Sequence, residues 1–333
     1  AEPPREMKAA PFQPMWVDDS RQDGNYVMNS DGLFPAPLPP SHPHTQAVFE
    51  RFKCLGQFVG RALMDGQILS LPLSSQFLSL VIGNTLCFDQ VLAIYNGSPT
   101  RGNMLSKLAR LVEQGNPVDK AAFHDIAGED LFMEDMVTGM PLVEGGAVIP
   151  VTIENVAEYV RLMGSFILQD GVARQVDAFR LGLDTISPVL VSKLSAFLPR
   201  EIRNLICGDE TIDWTEDDIS ECINAEHGYK RGSPQIRNLV SVLFEFDQAE
   251  RKSFLNFLTG CPHLPNGGLK YLDPPICVMR KNPSDEVASV DEALSSSRTC
   301  RNQLHLPPYT SKEVMRKKLK QSMEESKGII DLA

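Results

Sequence analysis

Ser295-Ser296-Ser297-Arg298-Thr299-Cys300-Arg301-Asn302-Gln303-Leu304-His305-Leu306-Pro307-Pro308-Tyr309 holds the most informative residues of the chain. The three serines predict a short, flexible polar approach to Cys300, and Arg298 and Arg301 set guanidinium charge on both sides of it. Adjacent positive charge favours thiolate over thiol, and the thiolate is the nucleophile. Gln303-Leu304-His305-Leu306 alternates like a half-exposed strand and is stopped by Pro307-Pro308. Such a cysteine is either an accessible nucleophile or an ordinary surface residue, and local chemistry leaves both open.

The chain has seven cysteines, at 54, 87, 207, 222, 261, 277 and 300, with no CxxC pair and no clustered Cys/His ligand set. Neither a disulfide framework nor a zinc site is indicated, and no metal or cofactor is expected. Cys54 lies in an apolar helical stretch, Cys207 follows Leu205-Ile206, and Cys277 sits in a strand-like run, so all three read as small buried hydrophobes. Cys222 and Cys261 are left undecided. If Cys300 served a thiol hydrolase, His263 or His305 would have to take its proton.

Outward from this stretch, Ile276-Cys277-Val278-Met279 is a second strand-like run, and Asp247 with Glu250 signals the start of a helix ending at Gly260. Thr310 with Glu313 is read as the cap of a last helix, whose basic run Arg316-Lys317-Lys318 with Lys320 is expected to be a solvated face. Strands mix with helices only in this final third. Earlier, Phe49, Phe52, Leu55, Phe58, Val59, Ala62 and Leu63 recur at helical spacing. Val156, Tyr159, Val160, Met163 and Ile167 predict a helix over 154–169, with Gly171 in the place of its C-terminal cap. Nine prolines before residue 45 preclude continuous helix there.

The expected layout is an irregular lead-in over 1–44 and a larger lobe over 45–223 containing a small subdomain at about 84–148. A hinge over 224–228, centred on Glu226, His227 and Gly228, would lead to a smaller lobe over 229–333. With 333 residues and 42% hydrophobic content the chain can bury a sizeable core. Its net charge of -11 would repel a phosphate backbone, so nucleic acid is not an expected partner. No apolar run reaches the length of a membrane span and no glycine-rich phosphate loop appears. A soluble protein of the cytoplasm or nucleus is expected.

Arg298-Thr299-Cys300-Arg301-Asn302-Gln303-Leu304 followed by Leu306-Pro307-Pro308-Tyr309 resembles the catalytic loop of HECT ubiquitin ligases. Phe254-Leu255-Asn256-Phe257-Leu258-Thr259-Gly260, Leu264-Pro265 and Gly267-Gly268 resemble the family's preceding segment, in order and at the right distance. Ile149-Pro150-Val151-Thr152, Gly171-Val172-Ala173-Arg174-Gln175 and Leu205-Ile206-Cys207-Gly208 resemble its larger lobe. Gly32-Leu33-Phe34-Pro35-Ala36-Pro37-Leu38, His227-Gly228-Tyr229 and Leu272-Asp273-Pro274-Pro275 are similar to the ubiquitin-fusion-degradation and thyroid-receptor-interacting branch. The likeness runs from about residue 15 onward, and the family's first strands and helix are expected to lie outside the chain.

The resemblance implies an α+β, bilobal fold with a mainly helical N-terminal lobe and a smaller α/β C-terminal lobe. It implies ubiquitin carried as a thioester on Cys300, with Thr299, Arg298 and Asn302 supporting the catalytic loop. Partners would be a ubiquitin-conjugating enzyme, ubiquitin and protein substrates. Leu108, Leu111, Val112, Phe132 and Met136 are expected to form the conjugating-enzyme groove. Near the C-terminus, Ile330 stands where the family commonly has phenylalanine, and Asp331 follows as a candidate local base. That departure leaves an inactive ubiquitin-binding or scaffold module as the alternative.

Overall fold

The computed structural model describes residues 15–17, 32–94, 101–114, 119–128, 130–135, 138–209, 211–282 and 289–330. The chain divides into two compact units, one of residues 1–61 and 72–203, the other of residues 62–71 and 204–333. The division after Arg203 falls ahead of the expected hinge. Residues 84–148 belong to the first unit, where Phe88 packs against Gly164.

The first unit is helical. Its Thr45–Met64 helix buries Val48, Phe52, Gly56 and Val59, a stripe that returns every third or fourth residue. Phe58, expected on this face, is 59% exposed, and Cys54 is exposed as well. The stripe is shifted because glycine is part of it. A Cβ on Gly56 would meet Phe179 O at 2.2 Å, and one on Gly182 would meet Lys53 O at 2.2 Å, so this helix and Ala173–Ile186 approach at backbone distance. Trp16, Phe52, Phe77 and Phe179 continue the core as edge-to-face rings, with Trp16–Phe52 centroids 5.0 Å apart and Phe77–Phe179 5.1 Å.

The helix expected over 154–169 is α-helical over Val156–Ser165 and widens into a π-helix over Phe166–Asp170. Gly171 has φ -77°, so it is not the left-handed cap that was expected. Its missing side chain serves close approach instead, since a Cβ there would lie 2.8 Å from both Phe166 O and Pro37 Cβ. Buried Gln175 secures the turn by donating Nε2 to Gly171 O at 2.9 Å and Ala36 O at 3.0 Å.

The second unit is built on four strands: β1 (Ile223–Glu226), β2 (Ile276–Arg280), β3 (Ser296–Arg298) and β4 (Gln303–Leu306). Their order is β1-β2-β4-β3; β1 and β4 run parallel to β2, and β3 runs antiparallel to β4. One face sends Ile223, Ile276, Val278, Leu304 and Leu306 into a core shared with Leu239 and Leu243 of the Pro234–Phe244 helix, Leu255 and Leu258 of Gln248–Thr259, and Met315 and Leu319 of Lys312–Ile330. Asp247 and Glu250 form the expected capping box, and Gly260 closes that helix in the left-handed conformation at φ 79°.

Three expectations change in this unit. Glu226 ends β1, Arg280 N donates to His227 O at 3.3 Å, and Gly228 lies against the Arg280 side chain, so Glu226-His227-Gly228 is a strand end and bonded turn inside the sheet domain, not a hinge between units. Ser311, not Thr310, caps the last helix by accepting from Val314 N at 3.2 Å; Thr310 bonds Asp291 instead. The basic face of that helix is paired as well as solvated: Lys312 and Arg316 meet Glu245, while Arg316 and Lys320 meet Glu250.

Tyr229 is buried and donates its hydroxyl to Leu306 O at 3.0 Å, joining the turn after β1 to the end of β4. Burial pushes its phenol up to about 12. A folded-state value above the unfolded one gives stability that is full below about pH 10 and is lost as pH rises toward 12, worth roughly 2–3 kcal/mol. Cys277, pushed up to about 11 by burial and then by the Glu226 carboxylate, acts in the same direction. Tyr229→Phe is therefore expected to flatten the alkaline loss of stability, read as denaturant midpoints across alkaline pH. Parallel curves for parent and variant would contradict this.

Candidate active site

Cys300 sits in a single 3-10 turn, Thr299–Arg301, that joins β3 to β4, and it is exposed together with Arg298, Thr299 and Arg301. The approach is not the flexible loop expected from three serines. Ser296 and Ser297 pair with His305 and Leu304 of β4, and Ser295 is buried. Ser295 N donates to Ser322 Oγ at 3.0 Å, and Tyr309 passes its hydroxyl hydrogen to Ala293 O at 2.8 Å. Backbone pairing and buried hydroxyls thus hold the segment ahead of the thiol.

On the other side the turn is braced by Asn302, which is 5% exposed and has φ 48°, a left-handed conformation that asparagine tolerates better than most residues. Its Nδ2 donates to Pro274 O at 2.6 Å, and its carbonyl accepts from Cys277 N at 3.0 Å. Thr299 stands over Gly260, with its Cβ 3.9 Å from where a glycine Cβ would be. The thiol therefore rides on a turn tied to β2, to the loop ahead of β2 and to the end of the Gln248–Thr259 helix. Cys300, Thr299 and Asn302 border an open cavity of about 470 Å3 within this unit, whose other walls include Cys261, His263, Tyr271 and Asp273.

Three of the other cysteines, Cys207, Cys222 and Cys277, are withdrawn from solvent to different degrees. Cys207 is buried and donates Sγ to Leu71 O at 2.8 Å. Cys277 is buried with its thiol pushed up, and burial raises Cys222 too. His305 lies on β4, where burial and then the charges of Arg298 and Lys281 lower its pKa and keep it neutral. Its Nε2 is buried and makes no hydrogen bond among the described residues, so it is not paired with the Cys300 thiol as a hydrolase base would be.

The expected groove for a conjugating enzyme is not brought together. Leu108 is 0% exposed and Leu111 9%, both turned into the core from the Arg101–Gln114 helix. Val112 and Phe132 are half-buried, and Met136 lies outside the described residues. Helical spacing of leucines cannot by itself tell a docking face from a core face, and here the core takes them. The last helix extends to Ile330, whose side chain, like all of Asp331, also lies outside the described residues. Cys261 and Asp273 are among the cavity residues without a role legible in the sequence: Cys261 has no motif around it, and Asp273 stands only in a branch-like Leu-Asp-Pro-Pro string.

An exposed thiol on a braced turn, reached from an open cavity, is accessible to an incoming electrophile. The sequence model of the HECT-domain (ubiquitin-transferase) family matches residues 10–330. The chain is 34% identical over 340 residues to E3 ubiquitin-protein ligase hecd-1 of Caenorhabditis elegans, covering 91% of this chain and 13% of the worm protein. It is 31% identical to E3 ubiquitin-protein ligase TRIP12 of Danio rerio, covering 90% of this chain and 16% of the fish protein. With Ubiquitin fusion degradation protein 4 of Saccharomyces cerevisiae it shares 33% identity, covering 89% of this chain and 20% of the yeast protein. The chain belongs to the HECT-domain family, and its α+β architecture is that family's. It spans a fifth or less of the length of these three relatives.

Proposed function

We propose that this domain accepts ubiquitin from a ubiquitin-conjugating enzyme as a thioester on Cys300 and transfers it to a lysine of a protein substrate. The observation that carries the reading is the exposed Cys300 thiol on a turn held by the β3–β4 pairing on one side and by the Asn302 bonds on the other. Exchange of one thioester for another is nearly balanced in energy, so a site for it needs proximity and an available thiolate more than a strong acid. Substrate degradation, and a cytoplasmic or nuclear setting where conjugating enzymes are available, belong to the same proposal; the yeast relative's name supports the first.

Incubating the chain with activating enzyme, a panel of conjugating enzymes, ATP and ubiquitin is expected to give an adduct one ubiquitin heavier on a non-reducing gel. Thiol reductant should remove it. Absence of any reductant-sensitive adduct across the panel would refute the proposal.

A further inference from the structure

The cavity beside Cys300 contains a group that loading does not use. Its titratable side chains are Cys261, His263, Tyr271, Asp273 and Cys300, and Asp273 is the only carboxylate among the residues that line it. Asp273 is exposed and enters no hydrogen bond or ion pair among the described residues. The basic residue closest in sequence, Lys270, is paired with Asp218 and Glu221. Yet the position of Asp273 is not left to chance, because the next residue, Pro274, is the acceptor for Asn302 Nδ2. The same buried asparagine lies two residues from Cys300 and receives Cys277 N on its carbonyl. One side chain thus couples the carboxylate loop to the thiol turn.

A group of this kind is required by the second half-reaction. A lysine amine has an ordinary pKa of about 10.4, so at neutral pH only roughly one in several thousand is uncharged and able to attack. As the C–N bond forms, the attacking nitrogen becomes strongly acidic and must lose a proton to a base within reach. Resting on the Cys300 reading, we propose that Asp273 binds the incoming lysine amine in this cavity and is the base that accepts its proton during transfer. Nitrogen attacks the thioester carbonyl, the C–N bond forms and the C–S bond breaks. The sulfur electron pair returns to Cys300 as thiolate, while the proton passes to the Asp273 carboxylate and from there to water. His263 is less suited, since its Nδ1 is buried and an imidazole carries no negative charge to attract an ammonium group.

The test separates loading from discharge. Cys300 is charged with ubiquitin, further charging is stopped, and loss of the thioester is followed after addition of free lysine or of hydroxylamine, a nucleophile that needs no such base because it is largely unprotonated at neutral pH. Asp273→Asn is expected to load as the parent does and to discharge to lysine roughly tenfold to a hundredfold more slowly at neutral pH. The deficit should shrink as pH rises and lysine loses its proton unaided. Discharge to hydroxylamine should be unchanged, and Asp273→Glu should recover part of the lysine rate. Unchanged lysine discharge in Asp273→Asn overturns the proposal, and so does an equal fall with both nucleophiles, which would make Asp273 a shaper of the loop only. If the parent chain never loads, the thioester reading itself fails, and that result is seen before either nucleophile is added.

Discussion

Cys300→Ala is expected to abolish the reductant-sensitive ubiquitin adduct completely, while leaving the melting temperature within a degree or so of the parent. The side chain is exposed, so its removal opens no cavity in the core. Cys300→Ser is expected to behave differently from both. A hydroxyl is the poorer nucleophile, and any ester formed on it resists thiol reductant and yields to alkali, which identifies the position by its chemistry. The two other exposed thiols, Cys54 and Cys87, lie in the first unit and serve as internal controls. Their replacement by alanine should leave the adduct in place; a persistent adduct in Cys300→Ala that disappears when Cys54 or Cys87 is also removed would move the nucleophile elsewhere.

The second large effect is expected at Asn302. Leucine there would abandon the 2.6 Å bond to Pro274 O, and a residue with a branched apolar side chain would have to keep φ 48°. An unsatisfied carbonyl costs about 1–3 kcal/mol and the left-handed conformation about 1–2 kcal/mol. Asn302→Leu should therefore destabilise the second unit by roughly 2–5 kcal/mol and slow loading of Cys300 by tenfold or more, about what a misplaced nucleophile loses. Asn302→Gly separates the two causes, because glycine accepts the backbone angle but offers no side chain. It should recover much of the stability and little of the loading rate. Thermal melts and single-turnover loading measure the pair, and full loading in Asn302→Gly would show that the bond to Pro274 does not position the thiol.

The parts of the fold legible in the sequence are those set by local rules. Asp247 with Glu250 and the terminal Gly260 specify a helix through its own end groups, and the alternation of Gln303-Leu304-His305-Leu306 specifies a strand with one buried face. Cys300 was legible because charge, proline punctuation and family likeness converge on it. What could not be read depends on tertiary pairing, local in one case and distant in sequence in the others. Ser296 and Ser297 have no strand character of their own and become β3 only because β4 offers a free edge. Glu226-His227-Gly228 looks like a hinge until β2 pairs with the residues before it. Gly56 and Gly182 have low helix propensity by themselves, yet they are the contact by which two helices meet. Leu108 and Leu111 repeat at a spacing that suits a groove and a core equally, and burial assigns them to the core. Asp273 became visible only when Asn302 brought its loop to the edge of the thiol cavity.

In the proposed reaction ubiquitin is carried by one atom, Cys300 Sγ. The most direct measurement is peptide mapping of the singly loaded chain by mass spectrometry, with digestion at acidic pH and without reductant so that a thioester survives. The expected result is the C-terminal remnant of ubiquitin on the peptide containing Cys300, and its release when that peptide is treated with thiol. A remnant found on another cysteine, or only on lysine, would contradict it.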